Sequence, residues 1–180
     1  MVALLGICGS LRKASLNRAL LVSVGELLPA RAEMTIHEDL NLPIFNYELD
    51  DPPGVVRLKA AIAAADGVVI SVPEYNYSIP GGLKNALDWV SRPPELSPLR
   101  GKPVGMIGAA SGMSGTIRAQ AHLRQILLYS DSPCLGQPEV LIPRAKERFD
   151  ADRRLADEST RVLLEQFGAA MVAFVERFRG

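Results

Sequence analysis

VVISVPEYNYSIPGGLKNALDW, residues 68–89, changes character twice within one short stretch. Val68 to Val72 is a run without polar alternation, the mark of a strand covered on both faces rather than on one. Pro73 ends it, and PEYNYSIPGG is a turn-rich segment of the kind that connects elements. From Leu83 to Val90 the apolar residues return at helical spacing. A doubly buried strand followed by a loop and a helix is half of a βαβ unit, so strand 68–72 belongs in a parallel sheet.

The same grammar repeats on either side. Val2 to Cys8 is another continuous apolar run, ended by Gly9. It is followed by a helical face made of Leu16, Ala19, Leu20, Val24, Leu27 and Leu28, with Pro29 as the stop. Met34 to His37 reads as a second strand, residues 41–54 (NLPIFNYELDDPPG) as a surface loop, and Val55 to Ala65 as a helix closed by Asp66-Gly67. After a Pro-rich link come a strand at Val104 to Gly108, a helix from about Thr116 to Tyr129 and a weaker strand at Val140 to Ile142. A long amphipathic helix from about Ala151 to Phe178 ends the chain. Five apolar strands separated by helices predict an α/β doubly wound sheet with right-handed crossovers and helices on both faces.

Composition narrows the class. A chain of 180 residues, 48% hydrophobic and 22% charged, suits a single domain spanning residues 1–180. Lys and Arg number 20 against 20 Asp and Glu, which argues against a nucleic-acid partner. Cys8 and Cys134 stand far apart, His37 and His122 are isolated, and no metal-ligand spacing occurs, so no metal site is expected. The opening MVALLGICGS lacks a cationic leader and runs into a polar loop, as a core strand does. With no apolar run near the roughly twenty residues a bilayer requires, the expectation is a cytoplasmic protein without a membrane partner.

In doubly wound sheets, ligands bind beyond the carboxyl ends of the strands. Three unusual loops fall there: GSLRKASLN (9–17), PEYNYSIPGG (73–82) and AASGMSGT (109–116). The first runs into a helix N-terminus, whose unpaired N–H groups suit a phosphate. Ser10, Ser15 and Asn17 add donors, and Arg12 adds a planar cation. The alternative is that Ser15 only caps the helix while Arg12 lies in solvent. The loop fits neither the triphosphate signature G-x-x-x-x-G-K-[ST] nor the dinucleotide signature G-x-G-x-x-G. A single terminal phosphate, as in a mononucleotide, fits better. The second loop offers Tyr75 and Tyr77 as flat surfaces and Glu74 and Asn76 as hydrogen-bonding groups, which suits the edge of a flat heterocycle.

GSLRKASLN and PEYNYSIPGGLKNALDW, in that order, resemble the motifs of the NAD(P)H-dependent FMN reductases, whose relatives include quinone, chromate and azo reductases. The likeness extends through the third loop and HLRQIL, to about residue 140. It implies a flavodoxin-like fold with strand order 2-1-3-4-5, and FMN as cofactor with NADPH or NADH as hydride donor. Ser10, Arg12, Ser15 and Asn17 would hold the FMN phosphate. Pro73, Glu74, Tyr75 and Asn76 would flank the ring, largely through backbone groups, and Ser111 and Gly112 would cover its pyrimidine side. Apart from the resemblance, Tyr77 is a candidate to line the acceptor face. No residue would be catalytic in its own right, since the flavin carries the chemistry.

Quinones are the preferred acceptors, because a planar ring can stack on the flavin; chromate, azo compounds and free flavin stay open. The chain departs from the family in the third loop, having Gly115-Thr116 where many members have paired glycines. Thr116 would there serve as a helix N-cap. Lys84, Asn85, Asp88 and Trp89 would be structural or interface residues, and Arg124 either a subunit contact or a solvated cation. The resemblance also implies a homodimer or homotetramer. The alternatives are a flavodoxin-type electron carrier, a class that typically has a more acidic surface and a T-x-[ST]-G-x-T first loop, neither of which this chain shows, and a non-catalytic flavin-binding module.

Overall fold

The structure, a computed structural model, describes residues 1–37 and 39–179. The strands are β1 (Val2–Cys8), β2 (Ala32–His37), β3 (Gly67–Ser71), β4 (Val104–Ala109) and β5 (Val140–Ile142). The helices are α1 (Leu16–Glu26), α2 (Pro53–Ala64), α3 (Gly81–Val90), α4 (Ile117–Leu127) and α5 (Glu158–Glu176). All four strand pairings are parallel, and the order is β2-β1-β3-β4-β5, as expected of a flavodoxin-like sheet. Leu4 stands beside Gly67, Val68 beside Val104 and Ile107 beside Val140.

The uninterrupted apolar runs are explained by what covers them. Successive strand residues point to opposite faces, and here each face has its own core. Leu5, Ile7, Val68, Ile70 and Met106 meet α2, α3 and α4. Leu4, Cys8, Val69 and Ile107 meet α1 and α5. Each such side chain contributes about 1.5–3 kcal/mol of transfer free energy when buried, and neither face can afford the polar alternation of a half-exposed sheet.

α3 also fixes the long loop before α2. The buried Trp89 donates from Nε1 to the Pro43 carbonyl at 2.8 Å and meets the Phe45 ring edge-on at 5.0 Å. Asn85 accepts from the Phe45 N–H at 2.7 Å and donates to the Pro43 carbonyl at 2.9 Å. These two are therefore structural residues, while Lys84 and Asp88 form an exposed ion pair one helical turn apart at 2.6 Å.

Two expectations are corrected. The last helix begins at Glu158, not near Ala151. Asp157 is its N-cap, accepting from the Thr160 N–H at 2.8 Å and from the hydroxyls of Ser159 and Thr160, and residues 149–155 form a closed turn instead. Thr116 precedes α4 but does not cap it. Its φ of 72° is left-handed, and its Oγ1 accepts from Gln120 Nε2 at 3.2 Å. It packs over Gly108, where a Cβ would lie 1.8 Å from Oγ1. The cap comes from elsewhere.

Candidate functional site

The carboxyl ends of β1, β3 and β4 open into a cleft of about 510 Å³. Its position is set by one buried side chain. The Asn17 amide, in the first turn of α1, pairs with the peptide of Ala109 as a strand would: Nδ2 donates to the carbonyl at 2.8 Å, and Oδ1 accepts from the N–H at 2.9 Å. Oδ1 also accepts from the Ser71 hydroxyl at 3.1 Å. The start of α1 is thereby bolted to the last residues of β3 and β4. Asn17 still lines the cleft, but its side chain is spent on the sheet, so what it turns to a ligand is its main-chain N–H.

The rest of the first loop stays open. Ser15 is the N-cap of α1, its Oγ accepting from the Arg18 N–H at 3.3 Å and lying 4.0 Å from Cys8 Sγ. Ser10 accepts from the Arg12 N–H at 3.4 Å. Arg12 is exposed and makes no ion pair among the described residues. All four residues that the sequence assigns to a phosphate lie on the cleft wall, so the capping role of Ser15 and the phosphate-binding role do not exclude each other.

The loop after β3 is shaped by α4. Asn76 and Tyr77 both have positive φ, 50° and 65°. Tyr75 and Ser78 exchange main-chain bonds across them at 2.9 and 3.0 Å, giving a tight two-residue hairpin turn. Glu74, whose side chain is 6% exposed, supplies the missing cap of α4, accepting from the Arg118 N–H at 3.1 Å and the Ala119 N–H at 3.4 Å. The Arg118 guanidinium donates to the other carboxylate oxygen, from Nε at 2.7 Å and from Nη2. Burial pushes the Glu74 carboxyl up, but the bonds from Arg118 and Ala119 outweigh it and hold the group below the usual glutamate range. His122 Nδ1 pairs with the Ser78 hydroxyl at 2.9 Å, a second tie from α4 to this loop.

Pro73, Glu74 and Tyr75 line the cleft, as do Ser111 and Gly112 of the third loop. The N–H groups of Glu74, Ser111 and Gly112 have no partner among the described residues, which leaves main-chain donors on the cleft wall. Asn76 and Tyr77, at the hairpin tip, are not brought to its wall; Tyr77 is 67% exposed. Two cations missed in the sequence, Lys146 and Arg153, do line it. The rule that singled out three loops applies equally to the chain after β5, where PRAKERFDADRR is rich in Arg and Lys. Arg118 had no such signal, because only the packing of α4 brings it to Glu74.

One end of the cleft thus offers a helix N-terminus, hydroxyls and cations, and the other offers peptide groups beside Pro73 and Tyr75. That donor set fits a phosphorylated molecule with a flat heteroaromatic ring. A second cleft of about 510 Å³ lies between α3 and α4, with Asp88, Arg92, His122 and Tyr129 on its walls; it holds none of the residues that the sequence assigns to the cofactor.

Comparison with known proteins bears on the same residues. The family model described as NADPH-dependent FMN reductase matches residues 2–147. An NAD(P)H-dependent FMN reductase of Pseudomonas aeruginosa is 44% identical, over 99% of this chain and 98% of its own length. A 2-hydroxy-1,4-benzoquinone reductase of a Burkholderia species is 41% identical, over 94% and 93%. Among solved structures, FerB, a flavoenzyme NAD(P)H:(acceptor) oxidoreductase from Paracoccus denitrificans, superimposes with a TM-score of 0.90 at 37% identity, covering 98% of both chains.

Proposed function

The chain belongs to the NADPH-dependent FMN reductase family, and from that premise we propose how its cleft works and on what. The protein is an FMN-dependent NAD(P)H oxidoreductase. Bound FMN supplies a ring that takes a hydride from the nicotinamide coenzyme and passes reducing equivalents to an oxidised acceptor. The observation that carries the assignment of the site is the meeting of the first, second and third loops in one cleft that carries cations and hydroxyls together with main-chain donors.

In this site Arg12, Ser10, Ser15 and the first N–H groups of α1 hold the phosphate. Pro73, Glu74 and Tyr75 would support the ring edge through the main chain, and the N–H groups of Ser111 and Gly112 would be donors for its polar rim, suited to stabilising negative charge there. Asn76 acts by forming the hairpin turn rather than by contact, and Tyr77 at its tip faces the incoming acceptor. One open face serves donor and acceptor in turn, so the kinetics are ping-pong.

Quinones are the acceptors favoured, because a planar ring stacks where the nicotinamide was; several relatives are named quinone reductases. The protein works in the cytoplasm, where reduced nicotinamide coenzyme is available, and no helix among the described residues is long and apolar enough to cross a membrane. It forms a homodimer or homotetramer through the α3–α4 face, where Tyr129 is 57% exposed beside the second cleft; light scattering of the purified protein tests this.

The decisive experiment is anaerobic mixing of the FMN-loaded protein with NADPH and with NADH, followed by 1,4-benzoquinone. Bleaching of the flavin absorbance and its return on addition of the quinone are expected. A spectrum unmoved by either coenzyme would leave an electron carrier or a flavin-binding module instead.

A further inference from the structure

The loops after β1, β3 and β4 are not the whole of the cleft. β5 ends at the same rim, and the chain beyond it folds back toward the first loop. Its start is fastened to the third loop by two main-chain bonds, Arg144 N–H to the Gly112 carbonyl at 3.0 Å and Ala145 N–H to the Ala110 carbonyl at 2.9 Å. A closed turn follows. The Asp150 N–H donates to the Arg154 carbonyl at 2.9 Å, the Arg153 N–H to the Asp150 carbonyl at 3.0 Å, and the Arg154 N–H to Asp150 Oδ1 at 2.8 Å. Phe149 and Leu155 bridge at its base.

Arg153 sits in this turn at a φ of 63°, a left-handed conformation that disfavours any residue with a Cβ. Its Nη1 reaches back to the Lys13 carbonyl at 3.5 Å, a long and exposed bond and the guanidinium's one polar contact among the described residues. The cleft wall carries three cations, Arg12, Lys146 and Arg153, and one acid, Glu74, which is already bonded to Arg118. A guanidinium held over the first loop by a strained turn, lacking a carboxylate, is arranged for an anion supplied from outside the chain.

We propose that Arg153 is a phosphate ligand of the flavin mononucleotide, completing from the loop after β5 the cradle begun by Arg12 and the start of α1. The proposal rests on the flavin site proposed above. Arg153 lies beyond residues 2–147, the stretch that the family model matches. On this arrangement Arg153 would exchange its long bond to the Lys13 carbonyl for the phosphate. Arg153 therefore sets how strongly the protein prefers FMN to riboflavin, which lacks the phosphate.

The test is fluorescence titration of the apoprotein with FMN and with riboflavin, for wild type, Arg153→Ala, Arg153→Lys and Arg153→Gly. Arg153→Ala is expected to weaken FMN about tenfold, the effect of one charge-assisted contact, and to leave riboflavin unchanged. Arg153→Lys should regain part of the loss. Arg153→Gly should lose as much FMN affinity as Arg153→Ala while the apoprotein melts no lower than wild type, because glycine takes the positive φ without strain. Unchanged FMN affinity in Arg153→Ala, or equal loss of both flavins, would overturn the proposal while the flavin site stands. A wild-type protein that binds neither flavin would overturn both.

Discussion

Arg118 lays its guanidinium over the Tyr77 ring, its central carbon 3.9 Å from the ring centroid, while gripping the Glu74 carboxylate with the same group. One side chain of α4 thereby holds both the root and the tip of the loop after β3. The stacking on an exposed tyrosine is worth about 0.5–1 kcal/mol; the pairing with a nearly buried carboxylate is the stronger half.

Removing Arg118 leaves Glu74 without its charged partner and Tyr77 without its stack. Arg118→Ala should lower stability by about 1–3 kcal/mol, read by urea unfolding. Arg118→Lys should recover little, since an ammonium reproduces neither the planar stack nor the two-pronged grip. Full recovery by lysine would show that charge alone matters there.

Tyr77 stands at the hairpin tip, outside the cleft wall, so its loss should touch the acceptor more than the flavin. Tyr77→Ala is expected to raise the apparent KM for 1,4-benzoquinone several-fold while FMN titrates as in wild type. Parallel loss of FMN affinity would mean that the tip supports the ring.

The lowered Glu74 pKa gives stability a pH dependence of known sign. A carboxyl whose folded value is depressed stabilises the fold fully above its ordinary value, and that contribution is lost as pH falls through the depressed one. Thermal midpoints measured from about pH 5 down to pH 3 should therefore fall more steeply for wild type than for Glu74→Gln. The glutamine can still accept from the α4 N–H groups but does not titrate.

Asn17 bonds both polar groups of the Ala109 peptide and the Ser71 hydroxyl in a buried setting. Asn17→Ala strands those groups, at a cost of about 2–4 kcal/mol, and frees the start of α1 from the sheet. Both the unfolding midpoint of the apoprotein and FMN affinity should drop. A stable variant that merely binds FMN less well would return the Asn17 side chain to the phosphate.

Arg12, exposed and without an ion pair, is the opposite case. Arg12→Ala should leave the apoprotein's melting unchanged and weaken FMN roughly ten- to a hundredfold, the equivalent of about 1.5–3 kcal/mol. Unchanged affinity would place Arg12 in solvent.

The sequence by itself determined the sheet and the place of the cleft, because both follow from local periodicity. VALLGIC, and VVISV apart from Ser71, are apolar without alternation, so they require cover on both faces, and the two separate cores are that cover. Loops at the ends of such strands must share a rim, which puts GSLRKASLN, PEYNYSIPGG and AASGMSGT together on periodicity alone. What each side chain does on that rim was decided only by tertiary packing. Thr116 has the chemistry of an N-cap, yet it lies over Gly108 in a left-handed conformation and leaves the capping of α4 to Glu74, 44 positions from Arg118. Asn17 has the chemistry of a phosphate donor, yet it is spent on a peptide 92 positions away. Arg153 reaches Lys13 across 140 positions. Periodicity is a property of neighbours along the chain, whereas a hydrogen-bond partner is a property of neighbours in space, and polar groups take the nearest partner that packing supplies.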